Sequence, residues 1–196
     1  DRIVLTGYFD ASALNLGVSE AQFFTNGVDT KTHGLDLVFS WKKKLGESNF
    51  GATLVGNIND MKIESVKNGN LDEATFFGKR EKAFLLASAP KNKFGLNLNY
   101  GYKKFDAGLA FTRFSKVVLV DYADEEDVYN PRVITDLTLG YKITKNLKLS
   151  LGSNNLFNVY PTKQDEQGNT EAGGYWDAVQ MGFSGAYYYA RLGFNF

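Results

Sequence analysis

Apolar and polar residues alternate with a period of two along most of this chain, and that pattern constrains the fold more than any single motif. Ile3, Leu5, Gly7 and Phe9 alternate with Arg2, Val4, Thr6 and Tyr8, and Leu35, Leu37, Phe39 and Trp41 with Gly34, Asp36, Val38 and Ser40. The same rhythm runs through Phe50 to Asn59, Phe94 to Tyr102, Phe105 to Thr112, Val133 to Ile143 and Leu147 to Gly152. It returns at the end, where Tyr188, Ala190, Leu192, Phe194 and Phe196 share one face and Tyr189, Arg191, Gly193 and Asn195 the other. Successive side chains of a strand point to opposite faces, so each segment reads as a two-sided strand. About eight antiparallel strands and an all-β fold are expected. A short helix or turn fits best between Leu71 and Leu86.

One face is apolar and often aromatic. The other is mostly Gly, Asn, Thr, Ser, Asp and Lys. A sheet of this kind suits a sandwich, a ligand-holding calyx or a membrane barrel. Connection lengths separate these. Lys44–Ser48, Gly101–Lys104 and Thr144–Asn146 are tight turns, and they alternate with long connections at Met61–Lys91, Lys116–Pro131 and Asn154–Gly185. All short turns then fall on one rim and all long loops on the other, as in outer-membrane barrels. Structureless connections of about 30 residues are rare in compact soluble domains.

Composition narrows the function. The 22 basic and 22 acidic residues balance, which gives no basic surface for nucleic acid. With no cysteine, disulfides and thiolate metal sites within the chain are excluded. No run approaches the roughly 18 to 20 apolar residues of a spanning helix. There is no secretory signal and no initiating Met, and the sequence reads as a piece of a longer protein.

Three segments carry a family resemblance. Gly152-Ser-Asn-Asn-Leu-Phe-Asn-Val-Tyr-Pro161 resembles the NNLF(D/N)xxYP-type motif near the end of TonB-dependent outer-membrane receptors, and a terminal aromatic strand follows it as in that family. Phe23 to Leu37 resembles the family's "N…T.G.(D/E)(L/V)" strand, and Asp1 to Gly7 the strand before it. The resemblance implies an antiparallel transmembrane β-barrel of about 22 strands with a plugged lumen. Residues 1–196 would be the C-terminal part of that barrel domain, about eight of its strands. It also implies the outer membrane as location, with lipid or lipopolysaccharide and the remainder of the barrel as neighbours. Uptake would be energised by TonB through an N-terminal plug region, with a ferric siderophore as the expected cargo. A SusC-type glycan importer is the same fold with another cargo. Two further readings are a self-contained eight-stranded structural or adhesive barrel and a soluble calyx.

Candidate ligand-binding residues follow from chemistry. Phe76, Phe77, Lys79 and Arg80, with Lys82, put cations beside rings in one long connection. That mixture suits anionic catecholate iron complexes through charge and cation–π contact. Tyr175 and Trp176 in the last connection suit stacking on a ligand, including a sugar ring. For each, the plain alternative is packing within its own loop. The acidic segment Asp121–Asp127 has the oxygens a hard cation needs but lacks EF-hand spacing, so a solvated loop is expected. His33, the only histidine, is expected to serve in the lumen or an interface rather than as a haem ligand. Asn154, Asn155, Leu156, Phe157 and Pro161 are expected to form a strand end and turn. Trp41, Tyr100, Tyr102, Tyr141 and Tyr187–Tyr189 suit interfacial aromatic girdles. No cofactor, resident metal or catalytic residue is expected, and no enzyme: one His lacks a convincing Ser or carboxylate partner, and no phosphate-binding glycine loop fits.

Overall fold

The computed structural model of the protein describes residues 27–69, 72–88, 90–164, 170, 174–177 and 179–196. The expected strand at Ile3–Phe9 and the Asp1–Gly7 motif lie outside the described residues, as does the start of the Phe23–Leu37 motif. The elements are β1 (Val28–Leu45), β2 (Ser48–Val66), α1 (Glu73–Phe76), α2 (Lys79–Ala87), β3 (Asn92–Tyr102) and β4 (Phe105–Phe114). They continue with β5 (Val117–Val120), β6 (Glu126–Tyr129), β7 (Arg132–Lys142), β8 (Leu147–Asn154) and β9 (Tyr187–Phe194). Seven strands form one sheet in the order β1-β2-β3-β4-β7-β8-β9, and β5 pairs with β6 alone. All pairs are antiparallel. The sheet is open among the described residues, with β1 and β9 at its edges.

Register keeps the two faces apart across every strand. Trp41, Ala52, Leu98, Leu109, Leu137, Ser153 and Tyr188 form one cross-strand row. One residue along lies the row Lys42, Gly51, Asn99, Gly108, Thr138, Gly152 and Tyr189. A slip of one residue would mix them, so the alternation itself fixes the register. Gly152 is needed where it stands: the Tyr189 ring fills the space a Cβ would take, and its hydroxyl lies 3.3 Å from the Thr138 hydroxyl.

The tight turns are where the sequence places them. Leu45 pairs with Ser48 across a two-residue loop in which Gly46 takes φ 56°, the positive φ that short hairpins require. The loop after β7 is held by Thr144, whose hydroxyl accepts from the N–H groups of Asn146 at 3.2 Å and Leu147 at 3.1 Å.

Three expectations need correction. The first long connection starts at Lys67, not Met61, because β2 runs on to Val66 against β1. Beyond Ile58 β2 has no β3 partner, so the outer ends of β1 and β2 form a two-stranded ribbon past the rest of the rim. The connection after β4 is not plain loop but holds the β5–β6 hairpin, since Val117-Val-Leu-Val120 is a short apolar β-branched run with no helical room. Of the Tyr187–Tyr189 run only Tyr188 shares the apolar face; Tyr187 and Tyr189 stack on each other over the polar one at 6.1 Å. The helical segment falls inside the expected Leu71–Leu86 window, as α1 and α2.

The apolar face of the main sheet is open to its surroundings. Phe39 is 65% exposed, Leu54 48% and Leu192 66%. The buried apolar side chains among the described residues are Leu119, Val120 and Tyr129, all in the small hairpin. An exposed apolar surface of this extent requires an apolar medium or partner.

Candidate functional site

The three long connections meet at the rim opposite the tight turns. Helix α2 packs against β5. Its start is set by Glu81, whose carboxylate accepts from the Gly78 N–H at 2.9 Å, and Lys82 ties it to α1 through Glu73 at 2.6 Å. Arg80 leaves α2 toward the hairpin, with its guanidinium 4.6 Å from the Phe84 ring centre and 4.1 Å from that of Tyr122. Lys79 donates to the carbonyl of Asp124 at 2.9 Å. These two cations therefore latch the first connection onto the second. Phe76 packs its ring on Gly27, at the start of β1, and Phe77 is half-buried between the helices.

The hairpin is joined in turn to the last connection. The Tyr129 hydroxyl donates to the Asp177 carboxylate at 3.0 Å and accepts from the Asp177 N–H at 2.7 Å. Asn130 N–H donates to the Thr162 hydroxyl at 2.9 Å. Asp127 is buried beside Asp177. Burial first, then hydrogen bonding to Asp177 and the charges of Asp177, Asp121 and Glu125, push its carboxyl up to about 7. Burial likewise holds the Tyr129 phenol above its ordinary value, so it stays a donor.

Tyr175 and Trp176 sit in an aromatic cluster. Trp176 stacks with Tyr160 at 5.4 Å and with Phe183 at 6.1 Å, and meets Tyr175 edge-on at 6.2 Å. Lys163 lies 3.7 Å above the Tyr175 ring centre. The six sequence candidates thus fall in two groups; the β5–β6 hairpin meets the first through Lys79 and Arg80 and the connection that carries the second through Asp177 and Gln164.

Reasoning from sequence missed several residues of this cap. Tyr122 carries the Arg80 contact, and Tyr129 and Asp177 the second junction; nothing in their local spacing marks them, since their partners lie 42 and 48 positions away. Ser115, Phe114, Val117, Tyr129, Val179 and Met181 help line a small, open cleft beneath the hairpin. The Ser115 hydroxyl is buried there and has no hydrogen-bond partner among the described residues.

The acidic loop is folded on itself. One Asp121 oxygen accepts from the N–H groups of Ala123 at 2.8 Å and Glu125 at 2.9 Å, a side-chain-capped turn. No group of three or more acidic, His or Cys residues among the described ones is placed to hold a metal ion. His33 stands on the outer ribbon, exposed, 3.6 Å from Asp60. The Asn154–Pro161 motif is a clip. Asn155 N–H donates to Asp136 at 2.7 Å, Leu156 N–H to the Thr135 carbonyl at 2.7 Å, and Ala186 N–H to the Asn158 side chain at 2.9 Å. It turns the chain out of β8 and returns it to β9.

The latch predicts a measurable loss. Arg80→Ala removes two cation–π contacts made by a partly buried guanidinium, each worth roughly 0.5–2 kcal/mol. Amide exchange in Val117–Val120 should speed up, with the main sheet unchanged; unaltered exchange in β5 would rule the latch out.

The open apolar face, the strict antiparallel meander and the long-loop rim are what a membrane barrel wall looks like. The family described as TonB dependent receptor-like, beta-barrel, matches residues 2–156. No curated protein and no solved structure matches the chain. That family match covers most of the sequence and takes in eight of the described strands, β1 to β8, in full. The chain belongs to the β-barrel family of TonB-dependent outer-membrane receptors.

Proposed function

We propose that residues 1–196 are the C-terminal part of the receptor's barrel domain and supply wall, lumen lining and ligand-capturing loops for uptake of a ferric siderophore or similar iron complex. Energy would come from TonB through a plug region, and the lipid-facing side would carry Phe194 and Leu192. The observation behind this reading is the cap: three long connections, far apart in sequence, interlock at one end of the strands. Its outer surface offers rings and cations together, with Tyr122 64% and Phe183 42% exposed. Rings and cations are the groups that hold aromatic anionic iron chelates.

The stacked Tyr160, Trp176 and Phe183 rings favour a second reading, a glycan, because sugar rings pack on aromatic faces. Calorimetry on the purified receptor separates the two. A ferric catecholate is expected to bind saturably and an oligosaccharide not to bind. Tyr122→Ala with Trp176→Ala should weaken binding about tenfold, equivalent to about 1.4 kcal/mol. Unchanged affinity in that double variant would remove the cap residues as the site, and oligosaccharide binding would replace the cargo.

A further inference from the structure

The tight-turn rim has a charge character of its own. Each of its three turns follows an exposed aromatic residue with lysines: Trp41 with Lys42, Lys43 and Lys44, Tyr102 with Lys103 and Lys104, and Tyr141 with Lys142 and Lys145. All seven lysines are exposed. Glu47 is the one acid within these turns, and it is paired with Lys103 at 3.0 Å. Just inside the rim Asp106 is paired with Lys148 at 2.6 Å. Lys104 reaches the Ile143 carbonyl at 3.4 Å, which leaves its charge in place. Because the whole chain is neutral, this excess is balanced by acid elsewhere, and the opposite rim carries Asp121–Asp127.

The lysines divide by direction. Lys43 shares the apolar face with Trp41, since it pairs with Phe50, and Lys103, Lys104 and Lys145 lie in the turns themselves. Lys42, Lys44 and Lys142 share the polar face with Gly51, Asn49 and Lys148. On the apolar face, then, an aromatic belt of Trp41, Tyr100, Tyr102, Phe105 and Tyr141 runs beside Lys43, and the ammonium groups of the turns lie at the rim beyond it. Aromatic rings settle at the boundary of the hydrocarbon, and lysine stems beyond them carry their charge to headgroup depth. Clustered lysines at that depth attract anionic lipid.

We propose that Lys43, Lys103, Lys104 and Lys145 form a docking collar for anionic phospholipid headgroups of the membrane leaflet at the tight-turn rim. This rests on the reading of that rim as the periplasmic one. The collar would fix the depth and tilt of the wall by charge where the aromatic belt fixes it by partition.

The test uses the receptor reconstituted in phosphatidylethanolamine vesicles containing phosphatidylglycerol, then re-extracted, with retained lipid measured by mass spectrometry. The wild type should retain phosphatidylglycerol about tenfold over the Lys43→Gln, Lys103→Gln, Lys104→Gln, Lys145→Gln variant, and salt should erode the difference. The matching Lys→Arg variant should retain it and so controls for folding. Lys42→Gln with Lys44→Gln and Lys142→Gln should leave retention unchanged. Equal retention in all variants overturns the proposal. So does loss in the polar-face set alone, which would place the anionic partner inside the lumen. If lipid A displaces phosphatidylglycerol from the collar, the rim faces the other leaflet and the choice of lipid is wrong. Failure of the membrane reading itself would show differently, as a receptor that stays monodisperse without detergent.

Discussion

Replacing Asn155 with alanine is expected to lower the unfolding free energy of the protein in detergent by about 3 kcal/mol. Asn155 is 7% exposed and takes φ 51°, a left-handed conformation that costs an alanine roughly 1–2 kcal/mol. Its side chain makes two bonds to one residue, accepting from the Val159 N–H at 2.8 Å and donating to the Val159 carbonyl at 2.7 Å. Alanine loses both and leaves the Val159 groups to find other partners. Asn155→Gly should recover about half of the loss, because glycine adopts the same φ freely but makes neither bond. The readout is equilibrium unfolding followed by tryptophan fluorescence, with amide exchange over 155–161 to localise it. Equal stability of wild type and Asn155→Ala would show that the motif is not a structural clip.

The second large effect is one of pH. Asp127 has its carboxyl pushed up to about 7 in the folded cap, against an ordinary value of 3.8. The folded state therefore binds a proton that the opened cap releases between those values. By linkage the cap loses stability as pH rises from about 4 to about 7, and the loss is complete above that. A shift of this size corresponds to a few kcal/mol. At the acid end protonated Asp127 can donate to Asp177; at neutral pH and above, two buried carboxylates face each other beside Asp121 and Glu125. The Tyr129 phenol stays protonated throughout, so it does not add to the slope. Amide exchange in Glu126–Tyr129 and 174–177 should accelerate across that window. Asp127→Asn, whose amide donates at every pH, should flatten the profile and protect the cap at pH 8. A profile unchanged in Asp127→Asn would assign the pH dependence to another group.

The sheet was legible because its information is local. Period-two alternation in Phe94–Tyr102 or Val133–Ile143 states both strand and face without reference to any partner, and tight turns leave neighbours no choice but antiparallel pairing. The two misplaced boundaries have a common cause. Residues Met61–Val66 read as loop because their alternation is weak: Met61, Ile63 and Val66 stand among Lys62, Glu64 and Ser65. What makes them strand is the register with Val28–Thr32, a contact more than 28 positions away. The β5–β6 hairpin is four residues a side and gains its stability from α2 and the last connection, so its own sequence says little.

The candidate residues show the same divide. Chemistry singled out Arg80, Lys79, Tyr175 and Trp176 as ligand-contact candidates in the long connections, and in the structure each of them is held by partners from elsewhere in the chain. Arg80 faces Tyr122, Lys79 faces the Asp124 carbonyl, and Trp176 stacks on Tyr160 and Phe183. The groups chosen as ligand-contact candidates hold the cap together, a role that depends on which connections are adjacent.

By itself the sequence determined that the chain is an antiparallel sheet with one apolar and one polar face and that its loops are unequal at the two rims. It could do so because side-chain direction in a strand is set by backbone geometry, one residue at a time. Only the tertiary structure decided that the long connections close into one cap, that Asp127 and Asp177 share a buried site, and that β1 and β2 run on past their neighbours. Those features are set by contacts between segments dozens of residues apart, and the pattern of a single segment carries no record of them.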